Sequence, residues 1–388
     1  RRSTCKPGSR CEGDGGMISQ SLTGWDIQSK VASSARAKVA ADRGRDMHMR
    51  VDDFDYELPE ELIAQTPIER RDASRLMVLR RDVQSIEHRS FSELPAFLRS
   101  GDALVINDTR VIPARLWGRR ETGGKVELLL LEETAPGVWE CLARPGKRAN
   151  VGERLSFGSG RMTGNVLEKT DYGGRVVSFE APEGVDRVVD EIGEMPVPHY
   201  IRAALRDSER YQTVYARTRG SAAAPTAGLH FTPELLGEVA RKGVEVVRIT
   251  LHVGLGTFRP VKTENVEEHV MHSEHYHVST EAAEAINRTR CAGGRIVAIG
   301  TTTVRTLETV AEPNGLIRPG DGWTSIFVYP GYTFRSIDAM VTNFHLPKST
   351  LLMMVSAFAG REFVLSAYRQ AIAERYRFFS FGDAMLIL

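Results

Sequence analysis

The sequence predicts an α/β main domain, with a mixed sheet or a barrel-like core flanked by helices, interrupted by an inserted all-β small barrel. Strand-like apolar runs alternate with helix-like runs in residues 49–112 and 201–388, as in α/β domains. Residues 113–200 instead hold short β-prone runs separated by Gly-rich or charged turns, which is typical of a small barrel. A chain of 388 residues is long enough for both parts.

Residues 1–48 differ from the rest and predict a disordered extension. They are rich in Ser, Ala, Gly and Arg and offer few large apolar side chains for a core. They contain nine Lys or Arg and five Asp or Glu, so their net charge is +4. Because the whole chain has a net charge of +1, residues 49–388 have a net charge of −3. A transit peptide is a second interpretation, although the five acidic residues argue against it. We assign this segment no function.

The main domain starts with two helix–strand pairs. A helix is predicted at 58–65, with Pro59 in its first turn, and is followed by a strand at 75–80. A second helix at 90–99 precedes an apolar strand at 103–107. Because polar residues follow this buried strand directly, its end is a candidate site.

The insertion and the second half of the main domain follow different periodicities. Five strands are expected in the insertion, at 125–131, 139–143, 154–157, 164–168 and 175–179. Beyond it, helices are expected at 233–242, 280–291, 303–310 and 348–358. Strands are expected between and after them, at 244–251, 295–299, 339–343 and 384–388.

Composition excludes several classes of protein. Hydrophobic residues make up 41% and charged residues 26% of the chain, which is ordinary for a globular protein. Four cysteines without a CxxC pair argue against a disulfide framework or a zinc ribbon and favour a reducing compartment. The longest apolar run, near 351–359, is too short to span a bilayer and predicts a buried helix.

The net charge provides no basic footprint for nucleic acid, so any such contact must come from local stretches. Two Arg-rich stretches qualify: Arg70, Arg71, Arg75, Arg80 and Arg81, and then Arg110, Arg115, Arg119 and Arg120. Solvated Arg faces are an equally good interpretation of each stretch.

Polar and glycine residues are dense in several stretches of the main domain. The first, Asn107-Asp108-Thr109-Arg110, follows a buried strand. The second, APTAGLHFT from Ala224 to Thr232, has small residues that let a ligand approach the backbone. It also holds His230, which is either a proton-transfer group or a structural histidine.

Three further stretches have similar features. TLHVGLGTFRP, from Thr250 to Pro260, opens after a strand into Gly254 and Gly256. GGRIVAIGTTTVRTLE, from Gly293 to Glu308, places threonines at a helix start, where N–H and hydroxyl groups suit a carboxylate or a phosphate. TNFHLPKST repeats this arrangement with Asn343 and His345 after a strand.

Spacing excludes three familiar sites. Gly254-x-Gly256 lacks the third glycine of a dinucleotide fingerprint, and the threonine stretch lacks the Gly-Lys-Thr of a P-loop. The histidine-rich segment HVMHSEHYHV would place only His275 and His277 on one strand face, with carboxylates at no metal-ligand spacing. We therefore predict no metal site.

Long motifs in a fixed order carry a resemblance to a known family. They are VDDFDYELPEELIAQTP, NDTRVIPARL, YQTVYA, GSAAAPTAGLHFT, TLHVGLGTFRPV, HVMHSEHYHV, GGRIVAIGTTTVRTLE, FVYPGY, TNFHLPKSTLLMMVSAFAG and YRFFSFGDAML. In this order they resemble the S-adenosylmethionine:tRNA ribosyltransferase-isomerase family of queuosine biosynthesis, over Met49 to Leu388. Two departures are His199, where a proline is expected, and Thr303, where serine is usual.

The resemblance implies that S-adenosylmethionine donates its ribosyl portion and not its methyl group. The acceptor would be 7-aminomethyl-7-deazaguanine at the wobble position of a tRNA with a GUN-type anticodon. Rearrangement would give epoxyqueuosine, with release of adenine and methionine. S-adenosylmethionine would be a co-substrate, so no resident cofactor is expected, and the enzyme would be a cytoplasmic monomer without a membrane partner.

This reaction needs a base beside the sulfonium, an acid for the departing adenine, and contacts for the ribose and carboxylate. Proton-transfer candidates in the matching motifs are Asp108, His230, His252 and His345. Binding candidates are Asn107, Thr109, Arg110, Thr226, Gly228, Gly254, Gly256, Thr301, Thr302, Thr303, Arg305 and Asn343. Which group is acid and which is base stays open, and the Arg stretches and the barrel are the expected RNA contacts.

Two other functions compete with this hypothesis. An S-adenosylmethionine-dependent RNA methyltransferase would use the same co-substrate but would transfer a methyl group. A non-enzymatic RNA-binding or scaffold protein would rely on the barrel, although it would not need the dense Gly, Thr and His segments.

Overall fold

The computed structural model describes residues 48–170, 173–254 and 261–388. Met49–Leu388 form one compact unit, so the predicted extension lies, apart from His48, outside the described residues. Seventeen strands are described: β1 (Arg75–Arg80), β2 (Ser85–Ser90), β3 (Ala103–Asn107), β4 (Thr109–Val111), β5 (Arg115–Arg120), β6 (Lys125–Ala135), β7 (Val138–Arg144), β8 (Arg154–Phe157), β9 (Met162–Lys169), β10 (Arg175–Glu180), β11 (Thr218–Ser221), β12 (Glu245–Leu251), β13 (Glu274–Val278), β14 (Ile296–Ile299), β15 (Gly320–Thr324), β16 (Ala339–Asn343) and β17 (Ala384–Ile387). The α-helices of the described residues are α1 (Val185–Ile192), α2 (Pro233–Arg241), α3 (Thr280–Cys291), α4 (Thr301–Val310), α5 (Thr350–Ala359) and α6 (Arg361–Ala373).

The main sheet has nine strands in the order β15-β13-β12-β3-β14-β16-β17-β1-β2. Strands β12, β3, β14 and β16 are parallel, whereas β17 runs antiparallel to β16 and parallel to β1. The predicted mixed sheet is therefore confirmed, and it is open rather than barrel-like. The carboxyl ends of the four parallel strands meet at one edge of the sheet.

Alternating side chains of the central strands enter two separate cores. In β3, Ala103 and Val105 pack on the face covered by α3–α6, whereas Leu104 and Ile106 pack on the opposite face. The opposite face is covered by α2 and by the 3-10 segment Phe91–Phe97. Because both faces are buried, these strands are continuously apolar, as parallel sheets require.

The insertion forms a closed six-stranded barrel in the order β10-β7-β6-β5-β8-β9. All neighbours that pair in it are antiparallel, and its interior is filled by side chains such as Leu128, Leu155, Phe157 and Val177. The predicted all-β barrel is thus confirmed. Its strands and α1 fall within the predicted bounds of 113–200, and those bounds stay a prediction.

Two predicted helices are only 3-10 turns. Glu60–Leu62 replaces the helix expected at 58–65, and Phe91–Phe97 replaces the one at 90–99. Pro95 inside the second segment has no N–H to donate, which prevents a regular α-helix there. Helix α5 starts at Thr350 with Ser349 as its N-cap, so it begins two residues later than predicted.

No single helix of the described residues is long and apolar enough to cross a membrane. Helices α5 and α6 satisfy the length and composition together, but they are bent by 113° relative to each other.

Candidate active site

Two cavities lie where the parallel strands end. The larger, of about 820 Å³, lies among barrel residues, α1 and the ends of β12 and β13. The smaller, of about 60 Å³, lies at the ends of β14 and β16, and Val253 lines it directly after His252 of the larger cavity. The carboxyl ends of parallel strands are the usual location for ligand sites in α/β sheets.

We name the larger one the acidic cavity. Its lining includes five carboxylates: Glu132, Glu133, Glu140, Asp186 and Glu274. Trp139 and Trp323 also line it, together with His252, His272, His275 and Arg219. Arg219 donates to Asp190 at 2.5 Å and lies 3.9 Å from Asp186, so its charge is largely balanced within the protein.

Glu132 has the least satisfied carboxylate of this cavity. Its side chain is partly buried and has no ion pair or hydrogen bond within the described parts of the chain. Burial raises the pKa of Glu132, and the neighbouring Glu140 carboxylate raises it further. A carboxylate with a raised pKa is a stronger base than an ordinary glutamate and suits proton transfer.

His252 presents one ring nitrogen to the acidic cavity. Its Nδ1 is 2.8 Å from Thr109 Oγ1, whereas its Nε2 has no hydrogen-bond partner in the described residues. The ring lies against Gly220, where a Cβ would come within 2.9 Å of Cε1, so only glycine leaves room for it. Burial, together with a smaller effect of His275, lowers the pKa of His252 to about 4, so the imidazole is neutral at pH 7.

Glu274 connects Gly254, in the stretch TLHVGLGTFRP, to helix α4. Its Oε1 accepts a hydrogen bond of 2.9 Å from the Gly254 N–H, and its Oε2 pairs with the buried Arg305 guanidinium. Arg305 therefore supports the wall of the acidic cavity and does not reach the small cavity. Gly256 lies outside the described residues.

The small cavity contains most of the remaining binding candidates. Its lining includes Thr226, Thr301, Thr302, Asn343 and His345. Thr226 Oγ1 donates to Asn343 Oδ1 at 3.0 Å, which joins the APTAGLHFT turn to the end of β16. Sequence motifs more than 100 residues apart thus form one wall.

His345 enters this wall as a neutral ring. Its Nε2 is hydrogen-bonded to Thr342 Oγ1 at 2.7 Å, and its backbone N–H donates to the Tyr368 hydroxyl at 2.9 Å. The Tyr56 hydroxyl donates to its carbonyl oxygen at 2.5 Å. Burial lowers the pKa of His345 to about 3, so it is uncharged at neutral pH.

His230 lies behind Asn343 rather than in the small cavity. Its Nε2 accepts from Asn343 Nδ2 at 3.1 Å, so its protonated Nδ1 donates to Ser74 Oγ at 2.7 Å. It stacks on Phe91 with ring centroids 4.9 Å apart. Burial lowers the pKa of His230 to about 3, with smaller contributions from the Arg377 and Arg71 charges. The ring is placed to orient the Asn343 amide.

Several candidates are engaged in the fold away from both cavities. Asn107 accepts from and donates to the Leu251 backbone, and Asp108 accepts from Thr250 Oγ1 at 2.7 Å. Arg110 pairs with Glu209 at the surface. Two further candidates are also engaged in the fold. A Cβ added at Gly228 would lie 2.1 Å from the Tyr215 hydroxyl, and the Thr303 hydroxyl donates to the Ile299 carbonyl oxygen.

Most arginines of the two Arg-rich stretches are likewise engaged within the protein, whereas Arg119 is exposed. Arg70, Arg80, Arg115 and Arg120 pair with carboxylates. Arg81 donates to three backbone carbonyl oxygens and covers the Phe358 ring. These arginines are therefore poor candidates for phosphate contacts.

Sequence reasoning missed the barrel's share of the site. Glu132, Trp139 and Glu140 lie on strands outside the motif-rich stretches, and only the closed barrel shows which of their side chains face the cavity. His275 was considered only as a metal ligand, whereas its Nε2 pairs with Asp321 at 3.0 Å and its ring packs against Trp323. The spacing of residues in the sequence does not identify Asp321 and Trp323 as partners of His275.

The fold and the two cavities define an α/β enzyme whose site is shared between a mixed sheet and an inserted barrel. Comparisons with known proteins all point to one family. A family model described as queuosine biosynthesis protein matches residues 51–387. The chain is similar to S-adenosylmethionine:tRNA ribosyltransferase-isomerase of Symbiobacterium thermophilum, with 63% identity over 88% of this chain and 100% of that protein. Its counterpart in Desulforamulus reducens is 57% identical over the same shares.

A solved structure agrees with these relatives. The crystal structure of S-adenosylmethionine tRNA ribosyltransferase from Thermotoga maritima matches with a TM-score of 0.50 and 44% identity. The match covers 87% of this chain and 100% of that one. The chain belongs to the queuosine biosynthesis protein family.

Proposed function

We infer that this protein is an enzyme that transfers and isomerises the ribosyl moiety of S-adenosylmethionine onto tRNA in queuosine biosynthesis. The acceptor is 7-aminomethyl-7-deazaguanine at the wobble position, and the products are epoxyqueuosine-tRNA, adenine and methionine. The observation that carries this conclusion is the 63% identity to a relative named for that activity, over that relative's full length. Substrate and co-substrate are thus tRNA and S-adenosylmethionine.

The acidic cavity suits the charges of the reactants. The sulfonium of S-adenosylmethionine and the ammonium form of the aminomethyl group are both cationic. Carboxylates attract cations, and aromatic rings such as Trp139 and Trp323 favour flat or cationic groups. The cavity of about 820 Å³ has the size of a site for a ligand of nucleoside dimensions.

Glu132 is proposed to bind the aminomethyl group. An ammonium must lose a proton before its nitrogen can act as a nucleophile, and a partly buried carboxylate with a raised pKa can accept it. His252 is a neutral imidazole in the same cavity. Because the Thr109 hydroxyl donates to the Thr218 carbonyl oxygen, it accepts from His252 Nδ1, which leaves Nε2 unprotonated. This nitrogen can accept a hydrogen bond or a proton from the ribosyl portion. His230 is proposed to orient the Asn343 amide of the small cavity, and Asp108 to act on His252 through its charge alone.

The preferred RNA is proposed to carry a GUN-type anticodon, because the acceptor base occupies its first position. The proposed outer contact is the loop 144–148 of the barrel. Arg144, Lys147 and Arg148 are exposed and have no ion pair within the described residues. The buried Arg175 guanidinium donates to the carbonyl oxygens of Gly146 and Ala149, which holds this basic loop in place.

The enzyme is proposed to act in the cytoplasm as a monomer without a resident cofactor. Cys141 and Cys291 are free thiols, as expected in a reducing compartment. Large exposed apolar side chains of the described residues are scattered, as on a monomer's surface. The sulfonium already activates the ribosyl donor, so the reaction needs no further electrophile.

One assay separates the proposed function from its rivals. The enzyme is incubated with S-adenosylmethionine and tRNA that carries the aminomethyl-deazaguanine. Free adenine and methionine are expected, and only when that RNA is present. Tritium transferred to the RNA from methyl-labelled co-substrate, with no adenine released, would identify a methyltransferase. RNA binding with neither product would identify a non-enzymatic binding protein.

A further inference from the structure

The small cavity surrounds the start of helix α4. Gly300, Thr301 and Thr302 line it, and Gly300 is the N-cap residue with φ +85°. A glycine cap has no side chain to accept hydrogen bonds, so the N–H groups of the first turn have no partner in the helix. By contrast, Ser349 caps helix α5 beside the same cavity by accepting from the Leu352 N–H at 3.2 Å.

Thr302 provides a second and independent observation. Its side chain is only 8% exposed and lines the cavity, yet its buried Oγ1 has no hydrogen-bond partner among the residues that the structure describes. Three other hydroxyls of this helix do have partners: Thr303 Oγ1 donates to the Ile299 carbonyl oxygen, Thr306 Oγ1 to the Thr302 carbonyl oxygen and Thr309 Oγ1 to the Arg305 carbonyl oxygen. A buried hydroxyl without a partner is costly, so this hydroxyl is a candidate for binding a ligand.

The charge of the cavity indicates which kind of ligand. None of its lining residues in the described chain carries a carboxylate or a cationic side chain. Helix α4 has no acidic residue in its first turn, so its positive dipole end is not compensated. The site therefore favours an anion that is held by N–H and hydroxyl donors.

The size of the cavity favours a small anion. Its volume is about 60 Å³, against about 820 Å³ for the acidic cavity, so it has room for a small group and not for a nucleoside. A carboxylate is a smaller group than a phosphodiester, which would also bring the sugars on either side of it.

We propose that the small cavity binds the carboxylate of the methionyl part of S-adenosylmethionine, through the first-turn N–H groups of α4 and the Thr302 hydroxyl. This assignment rests on the proposed function. It also accounts for a site without charged side chains beside the acidic cavity, because the two would hold the anionic and the cationic parts of one zwitterionic molecule.

The test compares co-substrates with and without the carboxylate. The KM for S-adenosylmethionine and the inhibition constant of its decarboxylated form are measured in the adenine-release reaction. The wild type should bind the decarboxylated form at least about tenfold more weakly. In Thr302→Val this ratio should shrink several-fold, because the variant loses a hydrogen bond to the carboxylate only.

Two further variants control for structural effects. Thr302→Ser retains the hydroxyl and should restore the wild-type ratio. Thr306→Val removes a hydroxyl from the same helix that bonds only within the helix, so it should leave the ratio unchanged. Thermal unfolding of all three variants checks that they fold.

The proposal is overturned if the wild type does not discriminate, or if Thr302→Val discriminates as well as the wild type. Weaker tRNA binding by Thr302→Val with an unchanged ratio would show that the cavity holds an RNA phosphate instead. A wild type that releases no adenine contradicts the proposed function, and titration with L-methionine and 3-methylthiopropylamine, its decarboxylated form, then tests the cavity alone.

Discussion

Three buried or partly buried histidines determine much of the chemistry at the scale of single residues. Burial lowers the pKa values of His230 and His345 to about 3 and that of His252 to about 4. All three are neutral at pH 7, so each works through the hydrogen-bond direction of a fixed tautomer. Their partners, Asn343 for His230 and Thr109 for His252, determine that direction.

His230 should make the stability of the protein depend on pH. Its folded pKa of about 3 lies below the ordinary histidine pKa of 6.5, so the unfolded chain takes up a proton first as the pH falls. The stabilisation is complete above pH 6.5 and is lost between that pH and about 3. Between pH 6.5 and 5 the loss is about 2 kcal/mol for one such group.

Urea unfolding of the wild type and of His230→Gln, followed from pH 7 to 5, measures this effect. The variant is expected to be less stable at pH 7, because it loses the ring that stacks on Phe91. Its stability should nevertheless fall less steeply with acid. Parallel curves for the two proteins would contradict a neutral, buried His230.

Glu132→Gln should lower the rate of adenine release by about 100-fold, the lower end of the usual contribution of a general base. The unprotonated carboxylate is the active form, and its pKa is raised. Wild-type activity should therefore fall with acid at a higher pH than an ordinary glutamate would produce, and the variant should lack this limb.

Glu168→Gln provides the matched control, since Glu168 is an exposed carboxylate on β9 of the same barrel. It should retain wild-type kinetics. If Glu132→Gln behaves like this control, Glu132 has no part in proton transfer.

At the scale of elements, the exposed basic loop 144–148 of the barrel is the proposed contact for the tRNA phosphates. The double variant Lys147→Ala/Arg148→Ala should weaken tRNA binding at low salt. The slope of log Kd against the logarithm of the salt concentration should fall by about one for each phosphate contact that is lost. The KM for S-adenosylmethionine should not change. Binding measured by filter retention between 50 and about 200 mM salt tests this.

Arg115→Ala/Arg120→Ala is an informative comparison, because both side chains are paired with carboxylates within the barrel. Its salt slope should match that of the wild type. An unchanged slope for the Lys147/Arg148 variant would instead favour recognition of unpaired anticodon bases by another surface.

Elements with a strong apolar pattern were predictable from the sequence. Strand β3, strand β16 and helix α3 have the predicted limits, because an apolar strand or an amphipathic helix is visible in local periodicity. The edge strands β13 and β15 were not predicted, since they are polar and partly exposed. They are strands because they pair with β12 and with each other.

At the scale of the whole molecule, the catalytic apparatus is proposed to be complete within residues 49–388. A variant that lacks residues 1–48 should retain the kcat and the melting temperature of the full chain. The family model begins at residue 51, and Met49–Leu388 form one compact unit. Loss of tRNA affinity on truncation, measured at several salt concentrations, would show that the +4 charge of the extension contributes to RNA binding.

The sequence by itself determined the fold class, the family resemblance and the motifs that meet at the sheet edge, because these depend on local periodicity and on residue identity. Only the tertiary structure decided which side chains face a ligand. Asp108 and Thr109 are adjacent in sequence, yet Asp108 is bound by Thr250 in the fold, whereas Thr109 orients His252 at the acidic cavity. The hydrogen-bond partner of each of these polar groups lies on or directly after a strand that is distant in the sequence. The local sequence therefore does not show which two groups are close in space. For the same reason Glu132 of the barrel and the unpaired Thr302 hydroxyl became recognisable only once the strands were assembled.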